Sequence, residues 1–467
     1  MESAALARLV DFGTTLSFDS LLIVRHGKIV LDAYYAPYAA DLPHVINSST
    51  KAVIGTLTAL ALKDGLLDSA DHRMLDLFAD RSIASVDDKK KAITLQNLLD
   101  MTSGLDWREP LDGRPETVIE MERSPDWVKF ILDRPTARAP GDVFNYNSGN
   151  PHLLSAILSK VTGLSAEDYA KSRLFGPLGI SAWNWRHDPQ GISTGGYGLA
   201  MQPRDMAKIG YLYLHNGQWE DKQLVPRDFV ERASHPTLNM NLAFEPELRY
   251  ADFFWALPKK HLYMASGYHC QLIMVFPELD IVAVPTARDF CPFNRMADAI
   301  AGAVKSEVAL PEDPAGANLL ADAIRNISTE KRTEVGATPE IASAVSGKTY
   351  NFPANALNVK SFSLTFADQQ ARFDQESYVR DPAQPPVRSS GPIGLDGLYR
   401  KGELAASGLV ARKGTWVNGS TFVIERLTIG AGEEPQKWIL SFDGERLHLR
   451  GKGRDGRDVF IDGQPGG

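Results

Sequence analysis

The chain has 467 residues, 43% hydrophobic and 23% charged, with a formal net charge of −8. That length exceeds the usual single domain of roughly 100–200 residues, so two structural units, or one large unit with an appendage, are expected, and the composition excludes a disordered chain. A net negative field repels nucleic acid and anionic lipid, no apolar run reaches the roughly 18 residues that span a bilayer, and the start Met1-Glu2-Ser3-Ala4 has no basic region leading into an apolar one.

Neither nucleic acid nor membrane is therefore an expected partner. The chain as given reads as cytoplasmic, although a trimmed periplasmic protein would look the same. Only Cys270 and Cys291 occur, and the ten histidines are scattered with no His-Glu-x-x-His. Reduced thiols, no metal and no cofactor are the expectations. The oligomeric state is not legible.

In chain order, residues 20–36 form two β-branched and aromatic runs around His26-Gly27-Lys28, a hairpin signal, so the chain is expected to open with a sheet. Residues 52–65 follow as an almost wholly apolar helix closed by Gly65, which reads as a buried helix. From about 70 to 240 helices and long loops alternate, with turns at Thr102-Ser103-Gly104 and Ala139-Pro140-Gly141-Asp142. Strand character returns over 262–287 as a hairpin turning at Pro277-Glu278-Leu279-Asp280, and a helix is expected over Asn294–Val308.

This pattern predicts an α+β catalytic domain over residues 1–310. Residues 311–347 read as a linker with short helices, and residues 348–467 as a small antiparallel β domain, a barrel or sandwich, from their short alternating runs.

Ser48-Ser49-Thr50-Lys51 opens the apolar helix. A serine hydroxyl needs a base to be a nucleophile at neutral pH, and a lysine three residues on lies on the same helix face. At the helix start, the Ser48 N–H belongs to the unpaired donors that can hold an oxyanion, and burial would lower the Lys51 pKa into the range of a base.

The spacing alone is a weak signal, since Ser328-Thr329-Glu330-Lys331 repeats it without an apolar helix behind. Two further segments single out Ser48. Tyr146, within Phe144-Asn145-Tyr146-Asn147-Ser148, can exchange a proton with Ser48, and Ala265-Ser266-Gly267-Tyr268 reads as a strand with a small-residue break, where the Tyr268 N–H offers a second oxyanion donor.

These three segments, in this order, resemble the S-x-x-K serine hydrolases: class C β-lactamases, penicillin-binding proteins, family VIII carboxylesterases and 6-aminohexanoate-dimer hydrolases. The resemblance extends through Met101-Thr102-Ser103-Gly104-Leu105-Asp106-Trp107, Pro203-Arg204-Asp205-Met206-Ala207 and Phe276-Pro277-Glu278-Leu279-Asp280, over about residues 18–305. It implies a β-lactamase/transpeptidase-like antiparallel sheet flanked by helices. It also implies Ser48 as acylated nucleophile, Lys51 and Tyr146 as proton-transfer pair, and the Ser48 and Tyr268 amides as oxyanion hole. Ser148, Ser266, Gly267, Tyr268, His269 and Trp107 are the expected substrate-binding residues, with Trp183, Trp185 and Tyr197 as further candidates for the acyl pocket.

Ala265 departs from the family, because β-lactamases and penicillin-binding proteins carry there the lysine of Lys-Thr-Gly. Without that ammonium the resemblance leans to the esterase and amidase branch, and a small-molecule ester or amide is the expected substrate. A β-lactamase or D-amino-acid peptidase of the same fold is the alternative enzyme. A catalytically silent binding protein is the reading from another class, and the intact Ser48, Lys51 and Tyr146 set opposes it.

Overall fold

The computed structural model describes residues 1–466 apart from 112, 244, 291, 380–384, 406–407, 445 and 454–455. The chain forms two compact units, one of residues 1–34 and 39–327, the other of residues 35–38 and 328–467.

The first unit is built on an eight-stranded antiparallel sheet. Its order is Lys28–Tyr34, Phe18–Arg25, Ile281–Ala287, Gln271–Phe276, Leu262–Gly267, Phe254–Leu257, Arg249–Ala251 and Leu238–Asn239. The two ends of the segment thus meet at the Phe18–Arg25/Ile281–Ala287 pair, with Leu22 opposite Val284. The strands Leu262–Gly267, Gln271–Phe276 and Ile281–Ala287 are buried at every residue. They are therefore covered on both faces, which explains why they read as continuous apolar runs rather than as alternation.

Several expectations are corrected here. The chain opens with a helix, Ser3–Thr14, ahead of the first strand, and Ala5, Leu6, Leu9 and Val10 form its buried stripe. Residues 262–287 hold three strands instead of two, because Tyr268-His269-Cys270 is a turn, with His269 and Cys270 both in the left-handed region. Tyr268 consequently sits just past the strand end. The helix expected over 294–308 runs Phe293–Gly302, and the stretch expected as a linker with short helices holds one longer helix, Pro314–Ser328, and a short one, Ile341–Val345.

The second unit is a closed all-β barrel. Ten strands between Thr349 and Pro465 form one sheet, and the strand Val387–Gly394 also pairs with Gly408–Trp416 through Gly394 and Lys413, which closes it. Phe362, Phe373, Ile393, Trp416, Phe422, Ile424, Leu440 and Leu449 fill its core. Closure removes the open sheet edges that would otherwise template aggregation. No helix among the described residues is long and apolar enough to cross a membrane.

Candidate active site

Asn47–Ser49 is a single 3₁₀ turn that runs directly into the helix Thr50–Lys63. The first backbone bond of the turn is donated by the Ser49 amide to the Ile46 carbonyl, so the Ser48 amide lies ahead of it. Thr50 Oγ1 donates to the Asn47 carbonyl at 2.7 Å, and Ser49 Oγ donates to the Gln271 carbonyl at 2.7 Å, which pins the turn to the neighbouring strand. Twelve of the fourteen helix residues, Thr50 through Ala61, are buried. The helix places Lys51, 1% exposed, beneath a half-buried Ser48.

Lys51 Nζ donates to Ser48 Oγ at 2.9 Å and to the Gly196 carbonyl at 2.7 Å. It lies 4.7 Å from the centre of the Tyr146 ring. Burial lowers its pKa to about 8, while the Glu109 charge acts in the opposite sense. Tyr146 and Ser48 both border one cavity, and the Ser48 side chain favours the Tyr146 phenolate slightly. The Tyr146 phenol is nevertheless pushed far above its ordinary pKa by burial and then by Glu109, so it is neutral. A Tyr146 phenolate as proton acceptor is therefore disfavoured, and the lysine is the group whose pKa has moved towards neutrality.

The Tyr146 turn is held by the Met101–Trp107 segment. The Asn145 amide donates to the Met101 carbonyl at 2.8 Å, Asn145 Nδ2 to the Trp107 carbonyl at 3.1 Å, and Ser103 Oγ to Asn150 Oδ1 at 3.0 Å. Asn147 Oδ1 accepts from the amides of Gly149 and Asn150, which stabilises the start of the helix Gly149–Thr162.

Ser266 and Gly267 end the strand Leu262–Gly267 beside the nucleophile turn. Asn47 Nδ2 donates to the Tyr268 carbonyl at 3.0 Å. A Cβ on Gly267 would stand 2.3 Å from the Ile46 carbonyl oxygen, so only glycine permits this approach. The segments carrying the Ser48 and Tyr268 amides are thereby packed against one another.

A cavity of about 330 Å³ opens at Ser48 and is bounded by Tyr146, Ser266, Gly267, Tyr268, His269 and Cys270, and also by Glu109, Trp255, Phe290 and Phe293. His269 stacks on the exposed Tyr268 ring, centroids 3.8 Å apart.

Trp107 and Ser148 do not border this cavity, and both are turned to Glu109: Trp107 Nε1 and the Ser148 amide donate to Oε2 at 2.7 Å, and Ser148 Oγ donates to Oε1 at 2.6 Å. Trp183, Trp185 and Tyr197 are likewise elsewhere, bonded to Glu167, the Thr194 carbonyl and Glu122. Glu109 itself was missed, and so were Trp255, Phe290 and Phe293. Ala265 is buried in its strand opposite Ile273. Cys270 is disulfide-bonded, contrary to the reduced state expected, and Cys291 lies outside the described residues. The second S-x-x-K copy has Ser328 exposed at the end of a helix, with no buried lysine following it.

Residues 16–304 match the Beta-lactamase family, more than half of the chain, and the chain belongs to that family of serine hydrolases. Among curated proteins it is similar to the 6-aminohexanoate-dimer hydrolase of Paenarthrobacter ureafaciens, 24% identical over 288 residues that cover 57% of this chain and 71% of that protein.

Two solved structures share its fold. A family VIII carboxylesterase is 12% identical with a TM-score of 0.52, covering 65% of this chain and 98% of that one. The octameric penicillin-binding protein homologue from Pyrococcus abyssi is 15% identical with a TM-score of 0.51, covering 98% of this chain and 99% of that one.

Proposed function

We propose that the protein hydrolyses esters or amides of small, uncharged acyl groups through an acyl-enzyme on Ser48. What carries this reading is the 2.9 Å contact between Ser48 Oγ and a fully buried lysine whose pKa is lowered to about 8. As the free amine, Lys51 turns its lone pair to Ser48 and takes the hydroxyl proton while Oγ attacks the substrate carbonyl. The amides of Ser48 and Tyr268 receive the oxyanion.

Collapse expels the alcohol or amine, which takes a proton from the Lys51 ammonium by way of the neutral Tyr146 hydroxyl. Water then adds to the acyl-enzyme by the same proton route in reverse, releasing the acid. Glu109 fixes the Ser148 end of the Tyr146 turn and partly offsets the lowering of the Lys51 pKa by burial.

Substrate charge is argued from the cavity. Its lining has a carboxylate in Glu109 and no lysine or arginine among the described residues. The carboxylate of a β-lactam or a peptidoglycan stem would meet neither an ammonium at position 265 nor a replacement for it. Esters such as p-nitrophenyl butyrate are the expected substrates, with nitrocefin and D-alanyl peptides turned over poorly or not at all.

Ser48→Ala is expected to remove ester hydrolysis by about 10³-fold or more, and a serine-directed phosphonate is expected to label Ser48 once per chain. Ester turnover surviving in Ser48→Ala, or label found on Ser328, would overturn the assignment.

A further inference from the structure

The barrel interior is apolar over most of its length and basic at one end. In the antiparallel pair Gly408–Trp416 and Thr421–Ile429, Trp416 stands opposite Phe422, Gly414 opposite Ile424, and Arg412 opposite Arg426. Trp416, Phe422 and Ile424 belong to the core, so strand alternation turns both arginines inward as well. The Arg412 guanidinium lies 4.1 Å from the ring centre of Phe373, itself a core residue.

Arg400 stands opposite Arg412 on the other side and is matched by Asp396 at 3.0 Å. Among the described residues no carboxylate forms an ion pair with Arg412 or Arg426. Arg426 donates to the neutral Gln436 Oε1 at 3.3 Å, with only a longer-range attraction to Glu433. Burial lowers the pKa of both, and the Arg426 charge adds to the effect on Arg412, which falls to about 10.

Like charges directly opposite in a sheet are destabilising, and both arginines are half-buried, so part of the cost of an unpaired charge is borne here. A lysine could escape by losing its proton near neutral pH, whereas a guanidinium stays charged there. The same end of the interior opens into a cavity of about 700 Å³ bounded by Phe373, Gln375, Ser389, Gly402, Val410 and Arg412. Asp374 and Glu376 also border this cavity, each with a cationic partner of its own. Glu376 is held by Arg388 and Lys360, and Asp374 lies 3.8 Å from Arg372. Guanidinium forks match carboxylate and phosphate oxygens, and the Ser389 hydroxyl adds a donor.

We propose that this end of the barrel binds a small organic oxyanion, a carboxylate or phosphate, seated on Arg412 and Arg426 with its body in the cavity. The test is calorimetric titration of the full chain at low ionic strength with inorganic phosphate and, separately, with octanoate, alongside thermal melts. Saturable binding of either probe at one site per chain, weakening with added salt and raising Tm, is expected, and which probe binds identifies the head group.

Arg412→Met keeps an apolar stem over Phe373 and removes the charge. It is expected to weaken binding by roughly tenfold or more and, without ligand, to melt at or above wild type. Arg426→Gln gives an independent reading of the affinity should Arg412→Met not fold. No saturation by either probe overturns the proposal. So does wild-type affinity in the Arg412→Met or Arg426→Gln chain, or an unliganded Arg412→Met melting well below wild type, which would make Arg412 a packing prop for Phe373.

Discussion

Each unit of this protein holds a cation beside a cavity, Lys51 fully buried and Arg412 half-buried, and the two behave differently because at neutral pH one can discharge and the other cannot. Lys51 meets burial by a fall in pKa to about 8, which leaves a free amine against Ser48 at mildly alkaline pH. Arg412 sits over Phe373 opposite Arg426 and remains charged at neutral pH. Burying a lysine makes a base, whereas burying an arginine leaves a charge that calls for an anion. On the two proposals made above, a related physical cost would serve proton transfer in the first unit and ligand capture in the second.

The most direct way to break that comparison is Lys51→Arg. It preserves a cation at the position but supplies no proton acceptor, so kcat for a neutral ester is expected to fall by about 10³-fold. Retained activity would mean that charge alone is needed. In the wild type, kcat/KM is expected to rise with pH through about 8 and then level.

Stability carries the same signature. The folded pKa of Lys51 lies below its ordinary value of 10.5, so the unfolded chain binds more protons between about 8 and 10.5. The penalty is therefore complete below pH 8, on the order of 3 kcal/mol, and is relieved as pH rises through that window. Lys51→Met is expected to exceed wild type in urea-unfolding stability at pH 7, by a margin that shrinks towards pH 10. A margin independent of pH would remove the lysine's titration from the account.

A second, smaller effect tests whether the site depends on approach of backbones as well as on the lysine. Gly267→Ala places a methyl group 2.3 Å from the Ile46 carbonyl, a backbone atom that cannot step aside. Displacement of the strand end by about 1 Å is expected to cost on the order of 10²-fold in kcat/KM, with Lys51 still titrating near its wild-type value. Near-normal ester turnover in Gly267→Ala would show that the Tyr268 segment has no positioning role.

What could be read from the sequence is what local spacing determines. Ser48 and Lys51 share a helix face whatever the rest of the chain does, and the strands at 18–34 and 262–287 announce themselves by β-branched runs. The opening helix is written in the spacing of Ala5, Leu6, Leu9 and Val10, a signal shorter and weaker than the hairpin behind it. Glu109 was not legible: within Trp107-Arg108-Glu109-Pro110 it is one polar loop residue among others, and only the fold brings it to Ser148 and the cavity. Trp255, Phe290 and Phe293 come together in the same way from separated segments, while Trp183 and Trp185 pack against Phe175. The arginine pair becomes visible only once strand register sets Arg412 against Arg426.

Glu109 supplies the smallest and most specific test. Its charge raises the Lys51 pKa against the larger lowering by burial. Glu109→Gln removes the charge while keeping a carbonyl oxygen able to accept from the Ser148 amide and the Trp107 indole. With the opposing influence gone, Lys51 should lose its proton more readily, and the acid limb of the kcat/KM profile should move to lower pH by about a few tenths of a unit. A shift to higher pH would contradict a lysine base, because a carboxylate can only favour the protonated amine. An unmoved limb accompanied by lower kcat would assign Glu109 to holding the Tyr146 turn alone. The direction of that small shift separates a lysine that titrates in the reaction from one that, like Arg412, only carries charge.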